Sequence, residues 1–278
     1  MEIATVQDVS ELLRPAAVAM DTGKTVLIGD VDYGDVPQLA ANPSRSAQGE
    51  DAPTDRFTCL GGHFQPLSGT ASELDAVHES VLGPVERLQG SAATPDAVRK
   101  AIDGASHIHF ATHGYFVDER CLNHEDDKAD ALLKGTPLAR SGLALSGAND
   151  RPTSQGDGLL SAEELLDLDL TGTQLVVLSA CDTGRGETTA GQGVMGLRSA
   201  LSLAGARNQV VSLWPIPDAE TSLLMTDFYD ALGPARPCRK CTVAGALGYA
   251  QRRALKRQRA SGQVDVRSWA AFEASGND

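Results

Sequence analysis

The stretches Ile108-His109-Phe110-Ala111-Thr112-His113-Gly114 and Leu175-Val176-Val177-Leu178-Ser179-Ala180-Cys181-Asp182-Thr183-Gly184 decide the reading of this chain. Each begins as a short, nearly continuous apolar run, the pattern of a parallel strand buried on both faces. Each then runs into a reactive side chain, His113 in the first and Cys181 in the second, with a glycine after it. In open α/β sheets, functional groups gather outside the carboxyl ends of the strands. A thiol and an imidazole at two such ends are the minimum parts of a cysteine nucleophile site.

The pattern on either side of these runs alternates between strand and helix. Strands are expected over 25–30, 106–111, 142–145, 174–180, 209–213 and 268–274. Helices are expected over 72–82, 94–102, 193–204, 218–232 and 242–258. Thr94 is a cap with Pro95 at the first helical position, and Asp218 caps a later helix. Ser161-Ala162-Glu163-Glu164 is a capping box that opens a short helix. The segments 41–57, 118–135 and 147–158 are rich in turn residues or charge and are expected as surface loops. The alternation predicts an α/β sandwich, helices flanking a mostly parallel central sheet. Residues 1–20 are expected as a lead-in and 21–278 as one domain.

Composition narrows the classes of function. The chain has 278 residues, 41% of them hydrophobic, enough for a large core. A net charge of −13 argues against direct nucleic-acid binding, which needs a basic surface. Five cysteines, at 59, 121, 181, 238 and 241, do not make a disulfide framework. No signal peptide is visible at the start, and no apolar run reaches the ~20 residues that span a bilayer. A cytoplasmic protein with reduced thiols and no membrane partner is expected.

The thiol–imidazole pair has a definite chemistry. The imidazole takes the thiol proton, the thiolate attacks a carbonyl, and the proton returns to the leaving amine. The backbone N–H groups of Gly114 and Cys181 are candidate donors to the oxyanion. Taken alone, Cys181 after an apolar run reads as a small buried residue, and a single histidine after a strand reads as structural. The joint pattern lifts the pair above that reading.

The chain resembles the CHAT domain family, caspase-like domains often fused to tetratricopeptide repeats. The resemblance rests on His109-Phe110-Ala111-Thr112-His113-Gly114 and on Leu178-Ser179-Ala180-Cys181-Asp182-Thr183-Gly184. It extends to Leu67-Ser68-Gly69-Thr70 with Glu73-Leu74, to the stretch from Ser141 to Asn149, and to Gly158 through Glu164. Gly191 through Leu197, Ala204 through Arg207, Ser212-Leu213-Trp214 and Trp269-Ala270-Ala271-Phe272 complete it. The resemblance implies a caspase-like three-layer sandwich and a cysteine peptidase dyad, His113 as acid–base and Cys181 as nucleophile. It implies a protein substrate and a regulatory repeat or sensor domain as partner, with no cofactor and no metal. It also assigns Ser179, two before the cysteine, to the pocket for the residue preceding the scissile bond, with Asp182 beside it. Ser179 offers no charge to a basic side chain. The chain departs from the family after Phe272, where Glu273-Ala274-Ser275-Gly276 is more polar, so a short or edge strand is expected there. Some members of the family have unknown activity, and the alternative is a silent signalling or assembly module.

Other motifs weigh less. Asp21-Thr22-Gly23 and Asp182-Thr183-Gly184 mimic the paired signature of an aspartic protease, but that chemistry needs an all-β fold. Gly191-x-Gly193-x-x-Gly196 matches the dinucleotide fingerprint but lies several residues past its strand, in an expected loop. Gly23-Lys24-Thr25 lacks the earlier glycine of a phosphate loop, since position 18 is Val18. His107, His109 and His113 alternate along one strand without a matching carboxylate cluster. Cys238-x-x-Cys241 has no second pair. Arg252, Arg253, Lys256, Arg257 and Arg259 read as a solvated helix face, or as a dock for an acidic partner.

Overall fold

The two apolar runs are parallel neighbours. In the computed structural model, β4 (His107–Ala111) pairs with β8 (Leu175–Leu178), His107 opposite Leu175 through Phe110 opposite Leu178. The structure describes residues 4–5, 22–35, 60, 62–117, 136, 138–150, 156–179, 190–214, 216, 218–233 and 242–276. Around this pair lie β1 (Ala4–Thr5), β2 (Thr25–Val31), α1 (Thr70–Ser80), β3 (Val85–Gly90) and α2 (Pro95–Ile102). After β4 come β5 (Gly114–Phe116), β6 (Ser141–Ala144), β7 (Leu159–Ser161) and α3 (Ala162–Leu166). After β8 come α4 (Ala190–Leu203), β9 (Asn208–Ser212), α5 (Asp218–Leu232), α6 (Val243–Ser261) and β10 (Phe272–Gly276).

Among the described residues the main sheet has seven strands in the order β1-β10-β9-β8-β4-β2-β3. The run from β3 to β9 is parallel throughout, and β10 is antiparallel to β9. The strand order reverses at β2, with β3 on one side and β4 on the other. Such a reversal opens a crevice at the carboxyl ends of the strands that flank it. A second, three-stranded antiparallel sheet of β5, β6 and β7 sits in the connection from β4 to β8.

Alternation along the strands builds two cores. Val26, Ile28, Ile108, Phe110, Val176, Leu178 and Val211 join α2, α3 and α4 on one face. Leu27, Ala111, Leu175, Val177 and Val210 join α1, α5 and α6 on the other. Burial on both faces explains why the central strands read as unbroken apolar runs. The three-layer sandwich expected from the resemblance, helices on both faces of a mostly parallel central sheet, is the architecture present.

Local signals act as expected at several ends. The Thr94 hydroxyl accepts from Ala97 N at 3.2 Å. Ser161 and Glu164 form the reciprocal capping box. The differences have physical causes. β3 was not expected, because Val85-Glu86-Arg87-Leu88-Gln89-Gly90 is a half-exposed edge strand without an apolar run. The last strand begins at Phe272 rather than 268, because Asp265 caps a 3-10 turn over Val266–Ser268. That strand is not at an edge. It lies between β9 and β1, so Ala4 and Thr5 in the expected lead-in are paired with Ala274 and Ser275. The helix expected from 193 begins at Ala190, which puts Gly191, Gly193 and Gly196 inside α4 instead of in a loop or a strand-to-helix turn. The loops expected at 41–57 and 118–135 lie outside the described residues.

Candidate active site

His113 stands two residues past β4, at the carboxyl end of the sheet and beside the strand-order reversal. Its carbonyl accepts from Ala144 N at 2.8 Å, which ties the turn to the second sheet. The Thr112 hydroxyl donates to the Ala144 carbonyl, so its oxygen is left to accept from Tyr33 Oη at 2.9 Å. His113 N in turn approaches Tyr33 Oη at 3.4 Å. A short chain of hydroxyls thus fixes the backbone that delivers the imidazole. Tyr33 follows β2, the strand beside β4, so its position is set by the same sheet.

The ring itself packs against two aromatics that also lie against each other. The Tyr33 and Phe64 centroids lie 5.1 and 5.7 Å from that of His113. His113 is only 5% exposed. Its Nε2 lies 2.7 Å from the carbonyl oxygen of Gln65. A carbonyl can only accept, so Nε2 carries the proton in this bond. In a neutral ring the basic lone pair is then on Nδ1.

Ser179 sits where β8 ends. Its N–H donates to the Phe110 carbonyl at 2.8 Å, its hydroxyl reaches the same oxygen at 3.3 Å, and the residue is buried. Gly114 opens β5 and is paired with Leu143. The structure therefore brings His113, Gly114 and Ser179 to one end of the sheet. Cys181 and Asp182 lie outside the described residues, as do Cys59, Cys121, Cys238 and Cys241.

The model of the CHAT domain family matches residues 2–277. The chain belongs to the CHAT domain family. Tetratricopeptide repeat protein 28 of Homo sapiens is 33% identical over 177 residues, 58% of this CHAT domain chain and 7% of its own length. Its counterpart in Mus musculus is 31% identical over 174 residues, with the same coverage. The chain spans well under a tenth of these curated relatives. Among solved structures, the Arg specific cysteine proteinase gingipain R is similar at a TM-score of 0.48 and 8% identity, covering 92% of this chain and 46% of that one. The complex of the Porphyromonas gingivalis RgpB pro- and mature domains is similar at 0.46 and 10% identity, covering 92% and 47%.

The two histidines of β4 have separate surroundings. His109 is fully buried, with Nε2 2.9 Å from Glu73 Oε1 and Nδ1 3.0 Å from Tyr229 Oη. This cluster pins α1 and α5 to β4. Burial, and then the negative charge of Glu73, push the Tyr229 phenol well above its usual range. His107 lies 3.4 Å from Thr25 Oγ1 at the other end of the strand. Among the described residues no group of three or more His, Cys, Asp or Glu has the arrangement to hold a metal. No helix among them is long and apolar enough to cross a membrane. Part of the basic run on α6 is turned to a buried carboxylate, since Arg253 lies 2.9 Å from Asp227 and Arg257 pairs with its other oxygen.

Sequence reasoning missed Tyr33, Phe64 and Gln65, which surround the imidazole. Nothing in a lone aromatic or a backbone carbonyl announces such a role. Glu73 and Asn149 stood in the matched motifs, but only the fold gives them partners.

Proposed function

We propose that the chain is a caspase-like cysteine endopeptidase acting on a protein substrate, with Cys181 as nucleophile and His113 as its acid–base partner. The observation that carries this reading is the register of β4 on β8. Every pair across these strands is separated by 68 positions. His113 and Cys181 are separated by the same 68. That shared offset supports a pairing of imidazole and thiol at one mouth of the sheet. Chain length supports it, because Cys181 is two residues from Ser179 and so within about 7 Å of it along the backbone.

The chemistry follows from the tautomer. With its Nε2 proton committed to Gln65, neutral His113 takes the thiol proton on Nδ1. The thiolate sulfur bonds to the scissile carbonyl carbon, and the carbonyl electron pair moves to oxygen. Backbone N–H groups of Gly114 and Cys181 are the donors assigned to that oxyanion. The C–N bond then breaks and Nδ1–H gives its proton to the leaving amine. Water, deprotonated by the same nitrogen, attacks the thioester and releases the acid and the thiol. Ser179 and Asp182 are assigned to the pocket for the residue before the cut, where Ser179 contributes no charge. A tetratricopeptide repeat segment is the proposed regulatory partner, given relatives that carry the repeat in their name. The reading assigns the chain to the cytoplasm, where thiols stay reduced.

The test is cleavage of a peptide library by the full chain and by Cys181→Ala and His113→Ala variants. Both substitutions are expected to abolish cleavage, and unchanged cleavage in either overturns the dyad. A chain that cuts nothing even with a repeat partner present belongs to the alternative class, a silent assembly module.

A further inference from the structure

Asn149 is 5% exposed and bonds through both ends of its amide to one residue. Phe64 N donates to Asn149 Oδ1 at 2.9 Å, and Asn149 Nδ2 donates to the Phe64 carbonyl at 2.9 Å. This is the pattern of two opposed hydrogen bonds that a neighbouring strand would supply, delivered by a side chain. Asn149 also holds the other ring residue. Its backbone N donates to the Tyr33 carbonyl at 2.7 Å, and Nδ2 reaches the Gly34 carbonyl at 3.5 Å.

Tyr33 and Phe64 are the two aromatics packed on His113. Gln65, one peptide bond past Phe64, supplies the carbonyl that accepts from His113 Nε2. Asn149 therefore tethers the main chain of both aromatics, Phe64 through its side-chain amide and Tyr33 through its backbone N–H, and Phe64 is the residue before the acceptor. The turn that presents it is tight. Gly147 has φ +83°, its N bonds to the Asp32 carbonyl at 3.2 Å, and Asp150 N returns to the Gly147 carbonyl at 2.9 Å. Gly34 has φ +91°, and a Cβ there would lie 2.4 Å from Asp150 Oδ1, so the two segments are in direct contact. The amide makes no contact with the imidazole itself in the bonds described.

We propose that Asn149 is a positioning residue for His113: by clamping Phe64 it sets the Gln65 carbonyl, and so fixes which imidazole nitrogen carries the proton. The proposal rests on the reading of His113 as the acid–base group. Its physical content is narrower than that reading. Without the clamp, the 62–66 segment loses two backbone hydrogen bonds. The Gln65 carbonyl then no longer holds the Nε2–H tautomer, and the ring samples both tautomers and several tilts. Misplacement of a catalytic group on the ångström scale costs up to about a hundredfold in rate.

The experiment uses the full chain with ¹⁵N-labelled histidine. Imidazole nitrogen shifts distinguish the two neutral tautomers, and His113→Ala assigns the His113 signals. The variants are Asn149→Ala and Asn149→Asp, the second keeping the acceptor for Phe64 N but losing the donor to its carbonyl. The His109 signals, fixed by Glu73 and Tyr229 in the other core, report whether the fold is intact. The expected result is a single Nε2–H tautomer for His113 in the parent, averaged nitrogen shifts for His113 in both variants, and unchanged His109 signals. Where the parent cleaves peptides, kcat is expected to fall about tenfold or more with KM little changed. His113 shifts that stay at the parent values in both variants overturn the proposal, whatever the activity. Lack of cleavage by the parent counts against the peptidase reading alone, because the nitrogen shifts decide the positioning role without it.

Discussion

Ser179 N donates to the Phe110 carbonyl at 2.8 Å and its hydroxyl reaches the same oxygen at 3.3 Å. Two donors on one acceptor lock the end of β8 to β4 three residues before His113. If the 68-residue register runs on, residues 113 and 181 face one another. A disulfide bridges Cα atoms ~4.4–6.8 Å apart. In a His113→Cys variant, mild oxidation is expected to join positions 113 and 181, read by peptide mapping without reductant. Crosslinking of Cys181 to other cysteines only would contradict the register.

The hydroxyl chain from Tyr33 through Thr112 to Ala144 explains the threonine of the His-Phe-Ala-Thr-His-Gly signature. Thr112→Val keeps the shape but removes the hydroxyl that bonds both Tyr33 Oη and the Ala144 carbonyl. Losing the hydroxyl from a buried network of this kind costs about 1–3 kcal/mol. Thr112→Ser keeps the hydroxyl and is expected to lose less. Denaturant unfolding of the two variants measures the difference, and equal loss in both would count against the hydroxyl chain.

Tyr229 ties stability to alkaline pH. Its folded pKa lies well above the ordinary 10.0, because burial and then the charge of Glu73 disfavour the phenolate. The unfolded chain releases this proton near 10, while the folded chain holds it. The stabilisation is therefore fully present below pH ~10 and is lost as pH rises above it. Tyr229→Phe is expected to be less stable near neutral pH, by about 1 kcal/mol for the lost bond to His109. Its stability is also expected to fall less steeply above pH 10. Denaturant titrations across that range check both slopes; parallel slopes would contradict the assignment.

The central strands were legible because burial on both faces leaves an unmistakable apolar signature. Val176, Val177 and Leu178 had to be strand, and so did Ile108 and Phe110. Edge strands were not legible, since β3 with Glu86, Arg87 and Gln89 faces water along part of its length. The glycines at 191, 193 and 196 misled for a different reason. They lie within a helix, and Gly196 is a packing residue of it: a Cβ there would lie 2.5 Å from Ser141 Oγ of β6. At the site, the reactive residue types were readable, but their supports were not. Gln65 contributes a backbone oxygen, and Asn149 acts through another residue's backbone.

In the proposed dyad the Cys181 thiol is activated by the His113 imidazole. The most direct measurement is the alkylation rate of Cys181 by iodoacetamide as a function of pH, read by peptide mapping in the parent and in His113→Ala. A reactive thiolate is expected to persist below the ordinary thiol range of pH ~8.5 in the parent and to be lost in the variant. A Cys181 that titrates as an ordinary thiol in both would contradict it.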